Sequence, residues 1–212
     1  GVIDPLMLQN TGDSALVDWL LVELRDPLDS TDVLAYATVP LRRDGSIVSE
    51  SGNPVLKFPG LTEGYYFVAL RHRNHIGAMT ANPVFISSNN PPLLDFSNPA
   101  LPLKGGNGGM RIMHGKRYQW AGDFNGDGKA VYQGPFNDVF FLFSRVLSDE
   151  NNPEHLANFI VLSYELEDLN LDGKAIYQGP NNDKATLLYH SILAHPFNSA
   201  LLANYIVRGF IP

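Results

Sequence analysis

Residues Asp123–Asp138 read DFNGDGKAVYQGPFND, and residues Asp168–Asp183 read DLNLDGKAIYQGPNND. The two stretches agree at 12 of 16 positions and lie 45 residues apart. One structural unit is therefore written twice. The likeness runs on past both copies. Phe140, Phe143 and Leu147 follow the first at i, i+3 and i+7, and Ala185, Leu188 and Ile192 follow the second at the same offsets. That spacing is one apolar helix face. Further on, LANFI from Leu156 answers LANYI from Leu202. The expected unit is loop, helix, short loop and second short helix, and two such units pack together because neither buries its stripe alone.

The core of the repeat is Asp-x-Asn-x-Asp-Gly-Lys. Oxygen ligands at positions 1, 3 and 5 of a tight turn converge on one point: Asp123, Asn125 and Asp127, then Asp168, Asn170 and Asp172. Glycine at position 6, Gly128 or Gly173, permits the bend, and Lys129 and Lys174 at position 7 offer a backbone carbonyl while the side chain points away. This is the first half of an EF-hand-type loop. All-oxygen donors favour calcium over zinc, and a flexible cage of carboxylates and carbonyls favours it over magnesium. Two Ca2+ sites are expected. The second half departs from the standard loop, because Gly134 and Gly179 stand at position 12, where a carboxylate belongs. The next acids, Asp138 and Asp183, come at position 16. Two readings are open there: a lengthened loop whose shell these aspartates close, or plain helix N-caps.

Charge agrees with a cation. The chain of 212 residues carries 22 acidic and 15 basic side chains, for a net charge of −7. Six of the acids are the repeat aspartates, and the remaining 16 nearly balance the bases. Clustered carboxylates repel unless something positive neutralises them. A net acidic chain without a basic stripe argues against nucleic acid. No run approaches the ~20 apolar residues of a membrane span. There is no cysteine, so disulfides, thiolate metal sites and cysteine nucleophiles are excluded.

In DFNGDGKAVYQG and DLNLDGKAIYQG, each leading into a helix, the chain resembles the two calcium loops of a dockerin module. The longer form, running on through GPFND and GPNND, is similar to a dockerin-like region near the C-terminus of large secreted proteins of Bacteroidota-type bacteria. Those regions often follow a β-domain with text like VDWLLVELRD (residues 17–26) and VALRHRNHIGAMTA (residues 68–81). The resemblance implies an extracellular or cell-surface protein and a C-terminal all-α module. It also implies a possible cohesin-like partner. Ordinary dockerins have 12-residue loops, and the loops here are four residues longer.

The N-terminal half reads as β. Ala15–Arg25, Leu34–Leu41, Ile47–Val48, Val55–Phe58, Tyr65–Arg71 and Val84–Ile86 are short apolar runs separated by turn signals such as Asp44-Gly45. Val17, Trp19 and Leu21 share one strand face. Prolines 40, 54, 59 and 83 fall near strand ends, where a missing amide is tolerated. An antiparallel sandwich is expected. GLTEGYYFV (residues 60–68) is similar to the turn and strand of transthyretin-like or collagen-adhesin B-type domains, which are mostly stalks and spacers. The expected organisation is α+β, multi-domain: a β-sandwich over 1–100, a Gly- and Pro-rich connection over 101–118 and a duplicated calcium-binding helical module over 119–212.

Nothing in the pattern reads as an enzyme. No Gly-x-Ser-x-Gly elbow and no phosphate-cradling loop occurs. His72 and His75, three apart at a predicted strand end, should face opposite sides as exposed polar residues. Tyr132 and Tyr177 should pack against their own helices, with contact to a sugar or partner as the other reading. Ser14, Ser30 and Thr31 sit in short Asp-Ser/Thr stretches resembling an O-glycosylation site. Among functions, a calcium-stabilised surface adhesin or self-assembling filament subunit leads. The alternatives are a cohesin-binding module and a carbohydrate-binding part of a larger secreted enzyme. The apolar segment Val2–Leu8 could add to a neighbouring subunit's sheet edge.

Overall fold

The computed structural model describes residues 4–162, 164 and 166–212. Its N-terminal half is built on one antiparallel sheet. Strands β1 (Leu16–Arg25), β2 (Val33–Arg42), β3 (Gly64–Arg71) and β4 (Ala78–Met79) lie in the order β2-β1-β3-β4. β5 (Val84–Ile86) shares the far edge of β3. The strands form where β-branched and aromatic residues alternate. Leu20, Val22 and Leu24 face the core with Val39, Tyr66 and Val68. Segments containing Ile47, Leu56, Phe58, Phe96, Leu103 and Met110 cover that face, where a sandwich would place a second sheet. The Val55–Phe58 run belongs to this cover and forms no strand. Asp4 onward also departs from extended structure: Pro5–Gln9 is a 3-10 turn anchored by buried Met7. Residues 2 and 3 of the proposed exchange segment lie outside the described residues.

The second face of the sheet carries Val17, Trp19 and Leu21, and beyond them Glu23 and Arg25. Arg25 pairs with Glu23 at 2.7 Å and Arg71 with Glu23 at 2.9 Å. The C-terminal segment crosses this face. Arg25 donates to the Pro212 carbonyl at 3.4 Å, and a side chain at Gly105 would run into the ring of Phe210. The connecting segment is likewise packed: Leu103 and Met110 are buried, and β6 (Arg111–Met113) and β7 (Lys116–Tyr118) form a hairpin.

The C-terminal half corrects the expected all-α module. Among the described residues it holds two short helices and four three-residue strands. β8 (Lys129–Val131) and β10 (Lys174–Ile176) arise from positions 7 to 9 of the repeated loops. Helix α1 spans Asp138–Leu147; α2 spans Asp183–Thr186 and continues as a π-helix over Leu187–Ile192. The predicted second helices are strands instead: β9 (Ile160–Leu162) and β11 (Ile206–Arg208). Their sequence explains this. Ile-Val pairs favour extended backbone, and Val161 and Val207 are buried between more exposed neighbours, which is a period of two. The units interlock through these strands. β9, after the first helix, pairs with β10 of the second loop, and β11, after the second helix, returns to β8 of the first. Val161 meets Ala175 and Val207 meets Ala130, with both alanines fully buried.

The helix face also differs from the expected one. In α1 the buried residues are Asp138, Leu142 and Val146, while Phe140 is 60% exposed. The helix is rotated so that the Asp138 carboxylate turns inward to the loop. Tyr177 packs on Phe143 of the other unit, with ring centroids 4.7 Å apart, as well as beneath Lys184 of its own helix.

Candidate metal centres

Each loop is a nest of backbone amides folded onto carboxylates. In the first, the Gly128 amide donates to Asp123 at 3.1 Å, the Asp127 amide to Asn125 at 3.0 Å and the Lys129 amide to Asp127 at 2.9 Å. The second repeats this: Gly173 to Asp168 at 2.9 Å, Asp172 to Asn170 at 2.9 Å and Lys174 to Asp172 at 3.1 Å. Gly128 and Gly173 hold φ of 77° and 81°, a conformation that costs a side-chain-bearing residue energy. In an extended strand a residue's N–H and C=O share a side. The Lys129 and Lys174 amides enter their loops, so their carbonyls face the loops as well. The Lys129 side chain does not point away as expected: its Nζ returns to Asp127 at 3.1 Å.

The position-16 aspartates close the loops. Asp138 accepts from the Phe124 amide at 2.9 Å and the Val131 amide at 2.7 Å. Asp183 accepts from Leu169 at 2.7 Å and Ile176 at 2.8 Å. The helix N-caps are the preceding residues, Asn137 and Asn182, which accept from Phe140 and Ala185. Asp138 and Asp183 are therefore more than caps. One carboxylate ties position 2 to position 9 across each loop; in the second, Asp183 Oδ1 also accepts from the Asn170 amide at 3.4 Å, and the other oxygens each keep a lone pair for another donor or a cation.

The structure brings Asp123 and Asp138 together under cover, and Asp168 and Asp183 likewise, all four buried. Asn125, Asp127, Asn170 and Asp172 stand on the exposed loop tips. Among the described residues no three His, Asp or Glu side chains converge closely enough to hold a metal by themselves. The candidate shells mix carboxylates with Asn oxygens and a backbone carbonyl. Burial, joined by the neighbouring carboxylates, pushes Asp123, Asp138 and Asp183 up to about 6, and burial also raises Asp168. Hard oxygen donors around buried, mutually repelling acids suit a calcium ion. When bound, it would supply charge neutralisation and cross-linking of each loop.

A second polar cluster joins this half to the sheet. Buried Asp18 of β1 accepts from the Tyr164 hydroxyl and lies 3.0 Å from His72 Nε2 and 3.3 Å from Arg73 Nε. Burial alone would raise Asp18, but these contacts with His72 and Tyr164 hold its carboxyl well below the usual range. His72 and His75, expected on opposite sides, face each other with Nδ1 atoms 3.0 Å apart. They sit in the bend between β3 and β4, where strand alternation no longer applies. Burial, then the neighbouring His72 and Arg73, push His75 down to about 3. Asn74, fully buried, donates to the Leu166 and Asp168 carbonyls, each at 2.7 Å. The second loop is thus anchored at its first position.

Sequence reasoning passed over Asn74, and also a second repeated pair. Asn152 and Asn198 lie 46 residues apart. Each is buried and pins the chain after its helix, to Val146 and Leu156 at 2.8 and 3.0 Å, and to Ile192 and Leu202 at the same distances. The aligned LAN segments were the available signal. Of the glycosylation candidates, Ser14 and Thr31 are exposed, whereas Ser30 Oγ accepts from Lys104 at 2.7 Å. Compared with family models, curated proteins and solved structures, the chain matches none.

Proposed function

We propose that this chain is a calcium-stapled extracellular structural protein, a surface adhesin or self-assembling filament subunit, and not an enzyme. The observation that carries the reading is the scaffold common to both loops. Position 1 receives the amide of position 6, position 3 that of position 5, position 5 that of position 7, and position 16 those of positions 2 and 9. Two copies of one oxygen-lined nest, kept while neighbouring residues changed, suit two Ca2+ ions acting as staples in a chain with no cysteine. Self-association is supported by the sheet edge. Edge strand β2 carries exposed Val33, Leu34 and Tyr36 beside an open hollow of about 630 Å3 lined by Ala37–Val39, Pro5, Leu56 and Lys57. An edge of this kind accepts an added strand. Among the described residues no helix is long and apolar enough to cross a membrane.

Calorimetric titration of the stripped chain tests the metal reading. Two Ca2+ ions should bind, and Asp127→Ala and Asp172→Ala should each remove one. At calcium one hundredfold above Kd, each site adds about 2.7 kcal/mol. Two sites together correspond to roughly 10–20 °C in melting temperature for a domain of this size. Equal melting in calcium and in chelator would sink the staple. Negative-stain imaging of the calcium-bound chain and of Tyr36→Lys tests assembly, with polymers expected only from the former.

A further inference from the structure

The two copies of the repeat differ most beside the loop tip. Where the first has Phe136, Phe140 and Phe141, the second has Asn181, Ala185 and Thr186. In the first copy Phe136 and Phe140 stand over this surface, 83% and 60% exposed. In the second the missing rings leave an open hollow of about 470 Å3 between the loop and the helix, lined by Asp172, Asn181, Ala185, Thr186, Tyr189 and His190.

The chemistry of that lining is selective. Among the described residues, the side chains of Asn181, Thr186 and Tyr189 make no hydrogen bond to the rest of the protein. An amide, a hydroxyl and a phenol each donate and accept, and the phenol adds a flat apolar face. Among the described residues no lysine or arginine lines the hollow itself; the Arg111 guanidinium lies 3.1 Å from His190 Nδ1, and Asp172 would repel an anion. The few apolar atoms would not hold a lipid chain. A ligand that fits has many paired donors and acceptors, no charge and one apolar face.

From this combination we infer that the hollow beside the second loop binds a neutral carbohydrate, one ring face lying on Tyr189 and its hydroxyls meeting Asn181 and Thr186. The inference rests on the proposed calcium reading only in that a bound ion would hold Asp172 in place. Asn170, a further loop residue of the lining, would be held in the same way, and the remaining lining belongs to the helix and its entry.

The test is a glycan array carrying neutral, sialylated and sulfated oligosaccharides, probed with the fluorescent full chain in calcium. Hits are confirmed by saturation-transfer NMR. Neutral glycans should bind. Refilling the hollow with Ala185→Phe and Thr186→Phe together should weaken binding at least tenfold, and so should Tyr189→Ser, whose side chain is 62% exposed and tolerates change. Phe140→Ala, in the first copy, should change nothing. No bound glycan, a preference for anionic glycans, or binding unaltered by Tyr189→Ser would each overturn the inference. Calcium calorimetry on the same samples separates it from the metal reading. Two bound ions without glycan binding sink the hollow alone, and Tyr189-dependent glycan binding without calcium sinks the staple alone.

Discussion

The two repeat units share a loop and the strand that pairs with it, and differ in how the rest of the molecule holds them. In the first, the chain before the loop is held by backbone pairing, with the Gly122 amide donating to the Asn74 carbonyl at 3.1 Å. In the second, the chain before the loop is locked by Asn74 of the β-half, which holds the Asp168 carbonyl. The first helix is regular over ten residues, while the second turns π-helical after four, with buried Ser191 donating to the Ala121 carbonyl at 2.5 Å. Through these differences the same five amide-to-side-chain bonds persist in both loops, and the second adds Asp172 to Asp168 at 3.1 Å and Asn170 to Asp183 at 3.4 Å. The comparison teaches that the loop is a self-contained nest, set by its own sixteen residues, and that packing partners are free to differ around it.

The largest expected effect separates scaffold from ligand. Asp138→Ala or Asp183→Ala strips the acceptor from two buried amides. An unsatisfied buried amide costs about 1–3 kcal/mol, partly offset here because a crowded buried acid is removed. A net loss of roughly 2–4 kcal/mol, or about 5–15 °C in melting temperature, should appear in chelator as well as in calcium. Asp127→Ala and Asp172→Ala, on exposed tips, should cost under about 1 kcal/mol in chelator and show their effect only in calcium. Thermal melts of the four variants in both buffers check this. Equal behaviour of tip and closing variants in chelator would break the distinction between them.

A smaller effect tests whether the units are anchored separately. Asn74→Ala removes two donors from buried carbonyls on the second unit alone, at a cost of about 2 kcal/mol. Calcium affinity of the second site should fall several-fold with the first unchanged. Calorimetry in an Asp127→Ala background reads the second site by itself. A loss shared equally by both sites would show the two nests to be coupled.

The sequence made visible what is local. Strands β1, β2, β3 and β5 follow from runs of β-formers bounded by turn residues, and the loop follows from side chains at fixed spacing. It hid what depends on distant partners. Nothing within LANFI shows that Val161 will find Ala175, fourteen residues on, so its apolar spacing reads as helix as readily as strand. Phe140 reads as core by hydropathy, yet the helix is indexed on Asp138, whose carboxylate must reach Phe124 and Val131. His72 and His75 were placed by strand alternation, but the strand ends at Arg71. Asn74 carries no local signal at all, because its role comes from carbonyls more than ninety residues away.

The smallest expected effect is also the sharpest on the loops themselves. Position 4 takes the left-handed conformation in both: Gly126 with φ of 71° and Leu171 with φ of 58°. For a residue with a Cβ that conformation costs roughly 1–2 kcal/mol. Leu171 is 46% exposed, so little packing compensates. Leu171→Gly should relieve the strain, while the added freedom of the unfolded chain takes back about 0.5–1 kcal/mol. A net stabilisation of about 0.5 kcal/mol is expected, and Gly126→Leu should destabilise by about as much. Denaturant melts in chelator resolve the pair when read as a difference. If Leu171→Gly instead destabilises by more than about 1 kcal/mol, the leucine contributes packing that the first loop never had, and the two nests are less alike than their hydrogen bonds imply.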